Sequence, residues 1–134
     1  MFPVDGSSTQ LSELWAWYED ASGVIADLDS CRVIVEAMQA GSEEANLTIA
    51  PGLDAITRHV ELWLLSHPCP DHWNWQHMMA IVDGYKSMGA CVTDAAGDGS
   101  CARSLEFQSI AVDTELMLQE VKQVIALLAM TAER

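Results

Sequence analysis

Basic residues are scarce in this chain. Only six Lys and Arg stand against twenty Asp and Glu in 134 residues, and the six are scattered singly. No cluster of cations is present that would bind a phosphate group or an anionic substrate. The formal charge of −14 also repels nucleic-acid phosphates and anionic lipid, so the sequence predicts no direct binding to DNA, RNA or a membrane surface.

Complete catalytic motifs are also lacking. The sequence has no Gly-rich phosphate loop, no nucleophile elbow around a serine and no Glu-x-x-His pair of the di-iron bundle type. These absences exclude the enzyme classes that such motifs mark. We therefore predict that the protein is not an enzyme and has no cofactor.

Long apolar runs are missing as well. Membrane-spanning helices need ~18 or more successive apolar residues, whereas Leu62–Leu65 and Ile125–Met130 are short pieces of amphipathic patterns. The first residues, Met1–Gly6, carry neither a basic leader nor an apolar segment, so residues 1–8 are interpreted as a tail and not as a secretory signal. Together these features predict a cytoplasmic protein without a membrane segment.

The four cysteines form no Cys-x-x-Cys pair. In a cytosolic chain such cysteines are usually small buried apolar residues or inert surface thiols. Cys91 and Cys101 flank a segment rich in Gly, Ala, Asp and Ser, and a disulfide between them is an alternative that the sequence leaves open.

Half of the residues are apolar, which is enough to build a hydrophobic core in a single acidic domain over residues 1–134. The apolar residues recur at helical spacing along nearly the whole chain. A first helix is predicted from the Ser7–Thr9 cap to about Ala40, with either a kink near Ser30 or a last part buried on several sides. Three more helices are predicted: from near Pro51 to before Pro68, over Asp71–Met88, and along the stripe from Phe107 to Leu128.

These helices predict an all-α, four-helix bundle-like domain. Residues 89–104, rich in Gly, Ala and Asp, predict a long flexible loop between the third and fourth helices. The heptad spacing on the first and last helices leaves open a homodimer, although packing within one bundle explains the same spacing.

Acidic residues recur at a regular spacing on the first and last predicted helices. Seven residues of helix rise ~10.5 Å and return almost to the same side, so each trio forms a linear row. We name them the first row and the second row; their members are Glu13, Asp20 and Asp27, and Glu106, Asp113 and Glu120.

Such rows can present negative charge to a protein surface that normally holds phosphates. Trp17 and Trp73 lie off the main apolar stripes and are expected to be exposed, so they are added to the predicted partner-binding residues. The sequence thus predicts a non-catalytic inhibitor that mimics nucleic acid and occupies a basic site on a nucleic-acid-handling complex. A phage or mobile-element protein that counters host defence fits this description. The alternative is an acidic face that only keeps the protein soluble.

Two further functions are alternatives. One is an acidic adaptor or chaperone-like module that uses exposed Trp and Met residues. The other is a metal-binding protein, because soft ligands gather within nineteen residues, although they meet no standard zinc spacing. We assign no metal ligands; the candidates are His59, His67, Cys69, His72 and His77.

Overall fold

The computed structural model describes residues 7–94, 101–102 and 104–132, and α-helices make up nearly all of this part of the chain. The five helices are α1 (Ser7–Asp20), α2 (Ser22–Ala40), α3 (Glu43–Ser66), α4 (His72–Asp94) and α5 (Leu105–Ala132). The prediction of an all-α fold is confirmed, and no strand occurs in these ranges.

The additional helix arises because the first predicted helix is divided at Ala21. The backbone hydrogen bonds continue across this point: Ala21 N–H donates to Trp17 O and Ile25 N–H donates to Ala21 O, both at 2.9 Å. Ala21 itself has a ψ of 2°, well away from the helical value of about −42°. The Ser-Gly pair that follows is a common site of helix bending, so the break lies there and not near Ser30.

The beginning of α3 differs from the prediction. The helix starts at Glu43, eight residues before Pro51, because Ser42 Oγ accepts a hydrogen bond from Ala45 N–H at 3.1 Å and caps its first turn. Pro51 therefore lies inside the helix, where it costs one backbone hydrogen bond. The predicted start near Pro51 is wrong, whereas the end before Pro68 is confirmed.

A five-residue corner at residues 67–71 joins α3 to α4, and Asp71 caps the new helix through its carboxylate, which accepts from Asn74 N–H at 2.8 Å. Helix α4 does not stop at Gly89 but continues to Asp94. The predicted long loop over 89–104 is therefore not confirmed: its first six residues are helical, and residues 95–100 and 103 lie outside the described ranges. A disulfide joins Cys91 to Cys101, with 6.0 Å between the Cα atoms.

Helix α4 is the centre of the packing, with α3 on one side and α5 on the other; α2 packs on α3, and α1 packs on α5. His77 faces Glu120 and Gly84 faces Thr114, so α4 and α5 run antiparallel. The helices enclose one cluster of buried apolar side chains, the largest of which are Leu14, Leu28, Met38, Leu53, Leu64, Met78, Ile81, Tyr85, Met88, Phe107 and Leu118.

None of the described helices combines the length and the hydropathy that a bilayer crossing requires.

Candidate acidic interface

Every Lys and Arg whose side chain the structure describes is paired with a carboxylate. Desolvation lowers the pKa of Arg32, but Glu36, Asp29 and Glu115 together raise it by more, so the net shift is upward. A hydrogen bond from Lys86 to Glu61 raises the pKa of Lys86. The pairs are Arg32–Glu36 (2.9 Å), Arg32–Asp29 (3.7 Å), Arg58–Asp54 (3.4 Å), Lys86–Glu61 (2.9 Å) and Lys122–Asp29. These cations are therefore not available to neutralise the acidic rows.

The first row does not remain continuous. Glu13 and Asp20 lie on α1, are exposed and have no ion-pair partner among the described residues. Asp27 lies beyond the break, on α2, where its Oδ2 is 3.8 Å from His59 Nε2 of α3. The break at Ala21 thus separates the third carboxylate from the other two.

The second row stays on a single helix, α5. Glu106 and Asp113 are exposed and have no ion-pair partner within the described ranges. Glu120 differs, since its Oε2 lies 3.1 Å from His77 Nε2 on α4. The row therefore presents two unpaired carboxylates and one that is engaged with a histidine.

The first row lies on the helix that packs beside the C-terminal part of α5, whereas the second row begins near the N-terminus of α5. Leu11 of α1 and Leu128 of α5 line the same cavity, so α1 packs beside the C-terminal part of α5. Glu106 lies near the opposite end of α5, ~33 Å of helix rise from Leu128. The exposed carboxylates of the rows without an ion-pair partner among the described residues are thus Glu13 and Asp20 on α1, and Glu106 and Asp113 on α5.

The expected exposure of Trp17 is wrong, because only 8% of this residue is accessible. Its Nε1–H donates to His67 O at 2.8 Å, and its ring contacts those of Tyr18 and Trp63. The position lies off the main stripe of α1, but the corner after α3 covers it. Trp17 is therefore a packing residue that ties α1 to this corner.

Trp73 is 42% exposed, in agreement with the sequence. Its ring stacks on His77, with 3.7 Å between the ring centroids. Trp73 also lines a mostly apolar cavity of about 380 Å³ where α1, α4 and α5 meet, a volume within the usual range for ligand pockets. We call it the end cavity; the other residues that line it are Leu11, Asp71, Asn74, Val124, Leu127, Leu128 and Thr131.

Hydrogen bonds connect two of the residues that line this cavity, Asn74 and Asp71, to the buried Tyr18. Tyr18 O–H donates to Asn74 Oδ1, and Asn74 Nδ2–H donates to Asp71 Oδ2 at 2.6 Å. These bonds fix Asp71 at the rim, where its carboxylate also caps α4. Spacing along the chain does not reveal the cavity, because the residues that form it come from three separate helices.

Three of the five candidate metal ligands have separate partners. His59 is near Asp27, His67 Nδ1 lies 2.8 Å from Trp63 O, and His77 contacts Glu120. Among the described residues, no three His, Cys, Asp or Glu side chains gather to hold a metal ion.

Helix α5 has a second apolar face that the sequence reasoning missed. Phe107, Thr114 and Leu118 belong to its buried side. Five large apolar residues are exposed on the same helix at spacings of seven, four, eleven and three, all close to whole turns. We call this face the outer stripe; it consists of Leu105, Val112, Leu116, Leu127 and Met130.

No protein-family model matches the chain, and neither the curated proteins nor the solved structures contain a significant match to it.

Proposed function

We propose that this protein is a non-catalytic binding protein whose acidic surface occupies a basic surface on a nucleic-acid-handling protein complex. The observation that carries the proposal is the pairing of every described Lys and Arg with a carboxylate of the same chain. The exposed carboxylates of Glu13, Asp20, Glu106 and Asp113 are therefore left without a described cation. On a chain of charge −14 they are suited to an external cationic partner.

The second row resembles nucleic acid in the sign of its charge and in the regular spacing of its charged groups. It carries fewer charges per unit length than a DNA strand. Glu106 and Asp113 are one heptad apart, which is a rise of ~10.5 Å on a single rigid helix. One strand of DNA carries a phosphate every ~3.4 Å, so each carboxylate corresponds to about three phosphates. A basic site that such a row fills is closed to nucleic acid, and the outcome is inhibition. A phage or mobile-element protein directed against a host defence complex would act in this way.

The test is a capture experiment from cells of the source organism, with bound proteins identified by mass spectrometry. Wild-type protein is compared with the row variant E106Q/D113N and with E44Q/D83N, which removes the same charge from exposed residues outside the rows. We expect a nucleic-acid-binding protein that the wild type and the control retain and the row variant loses. Heparin and duplex DNA should release it. Retention by all three proteins, or no release by DNA, would contradict the proposal.

An adaptor or chaperone-like module is the second candidate, and the exposed ring of Trp73 beside the end cavity favours it. Such a module would bind mainly through apolar contacts, which survive high salt, whereas contacts of exposed charges are screened. The candidates are thus distinguished by capture at low and high salt.

A cytoplasmic location belongs to the proposal and has its own test. Thiols in the cytosol are kept reduced, whereas the structure joins Cys91 to Cys101. Mass spectrometry of alkylated protein taken directly from its source would report the state of this pair. Free thiols at both positions are expected in the cytosol, and a disulfide there would contradict that location.

A further inference from the structure

We propose that the outer stripe of α5, together with the carboxylates at its edges, is the docking surface for a basic amphipathic helix of the partner. This inference rests on the proposed function and names the element that the acidic surface binds. Of the nine large apolar residues that are exposed in the described ranges, five lie on this one helix face. Isolated exposed apolar residues need no explanation, but an aligned set on one face marks an interaction surface.

The stripe has the dimensions of a helix-binding surface. From Leu105 to Met130 it extends ~37 Å along α5, the length of a partner helix of about 25 residues. Its residues recur at intervals that place them on one side of α5, so they can pack against the apolar side of a partner helix. Uncharged Gln119 and Gln123 occupy the middle of this side, so the stripe has two apolar parts.

The end cavity adjoins the second apolar part. Leu127 belongs to the stripe and also lines this cavity, beside the exposed ring of Trp73. A large apolar side chain of the partner helix would enter the cavity, while smaller ones cover Val112 and Leu116. An aromatic or aliphatic anchor seated in such a pocket is the usual centre of binding energy at an interface.

The carboxylates beside the outer stripe determine the charge of the partner helix that can bind there. Glu106 and Asp113 each follow a stripe residue by one position, and Glu115 precedes Leu116 by one, so carboxylates lie along both edges. Lys122, the described cation of α5, is engaged with Asp29 of α2. A second copy would bring another chain of charge −14 against these edges, whereas a helix with Lys and Arg beside its apolar face complements them.

The test uses two synthetic helices of about 25 residues with the same Leu stripe, one flanked by Lys and Arg and the other by Glu. Binding to the intact chain is measured by fluorescence anisotropy. The key variant is L116Q/L127Q, and the matched control is L62Q/L65Q on α3: the four leucines are 57%, 63%, 61% and 58% exposed. Circular dichroism checks that each variant is folded.

We expect the basic helix to bind and the acidic one not to bind. L116Q/L127Q should weaken binding about tenfold or more, and L62Q/L65Q should change it less than about twofold. Equal binding by both double variants, or no binding of the basic helix, overturns the docking surface. Neither result would decide the proposed function, because the capture experiment tests that proposal separately with variants of Glu106 and Asp113.

Sedimentation equilibrium of the free protein supplies the second measurement. We expect a monomer for the wild type and for L116Q/L127Q. A wild-type dimer that L116Q/L127Q dissociates would show that a second copy covers the stripe, and it would overturn the proposal of a basic partner helix.

Discussion

Gly84 of α4 lies so close to Thr114 of α5 that a Cβ atom added to the glycine would overlap Thr114 Oγ1 and stand 3.1 Å from Thr114 Cβ. Helices α4 and α5 thus come into close contact at Gly84, because a glycine has no side chain to separate them. Helix α4 carries Trp73, and α5 carries the second row. This contact therefore limits how far apart α4 and α5 lie at this point.

We predict that Gly84→Ala lowers the free energy of unfolding by about 1–3 kcal/mol, because the helices must separate to admit the methyl group. Adding Thr114→Ala should restore part of the loss, since it removes the Oγ1 that the new methyl group meets. Gly52→Ala in α3 is the control: nothing lies within 4 Å of the point that its Cβ would occupy, so it should stabilise the protein by about 0.5–1 kcal/mol. Urea unfolding measures all three, and equal effects of G84A and G52A would contradict the close contact.

The two tyrosines should respond in opposite ways to removal of the hydroxyl group. Tyr18 O–H donates to the buried Asn74, whereas the buried Tyr85 hydroxyl has no hydrogen-bond partner in the described part of the chain. We predict that Tyr18→Phe costs about 1–2 kcal/mol, and that Tyr85→Phe is neutral or stabilises by up to about 1 kcal/mol. Urea unfolding of the two variants is the measurement, and a larger loss for Tyr85→Phe would disagree with the structure.

Stability should fall at alkaline pH. Burial raises the pKa of Tyr18 and of Tyr85 well above the ordinary value of 10.0, and Cys69 and Asp71 raise that of Tyr18 further. The folded state therefore favours the neutral phenol, and this stabilisation is complete below pH 10 and decreases as the pH rises above it. The slope is at most about 1.4 kcal/mol per pH unit for each tyrosine.

The ultraviolet absorbance of the phenolate tests this expectation. It should appear together with the loss of helical circular dichroism, since the buried phenols ionise only when the protein unfolds. Ionisation with a midpoint near pH 10 in a fully helical protein would show that the tyrosines are exposed.

In protein purified under oxidising conditions, the Cys91–Cys101 disulfide should contribute substantially to stability. It links residues ten apart and restricts the unfolded chain, so C91S/C101S should lower the free energy of unfolding by about 2–3 kcal/mol.

Burial raises the pKa of Cys31 to about 12 and that of Cys69 to about 11, so both thiols should react slowly with alkylating reagents at neutral pH. Unfolding of the oxidised protein without reduction should expose two reactive thiols, and four would show that the disulfide does not form even under oxidising conditions.

The helical fold could be predicted because apolar residues repeat at helical spacing along most of the chain. The residues at which the helices begin and end depend on local hydrogen bonds and backbone angles, which the spacing of apolar residues does not reveal. The cap of Ser42 outweighed the preference of Pro51 for a first turn, and the ψ of Ala21 divided a continuous apolar stripe. Helix α4 continued through Gly89, whose Cα faces Leu53 of α3 and is buried there.

The candidate site was predictable only where it lies on one helix. Glu106 and Asp113 are exposed on α5, as their spacing indicates. Trp17 is buried because the corner around His67 folds over it, a long-range contact that no periodicity reveals. The residues of the outer stripe also recur at whole-turn spacings in the sequence. Because the buried residues of α5 form a more regular repeat, the sequence pattern was assigned to the core-facing side alone.

The most direct test of the central claim is the salt dependence of the affinity for the captured partner, measured with wild-type protein, E106Q/D113N and E44Q/D83N. Exposed ion pairs contribute about 0.2–1 kcal/mol each, so the row variant should bind about 2- to 30-fold more weakly at low salt, with a shallower salt dependence. The control should follow the wild type. An affinity that does not change with salt, or that falls equally in both variants, would contradict the assignment of the acidic row as the binding surface.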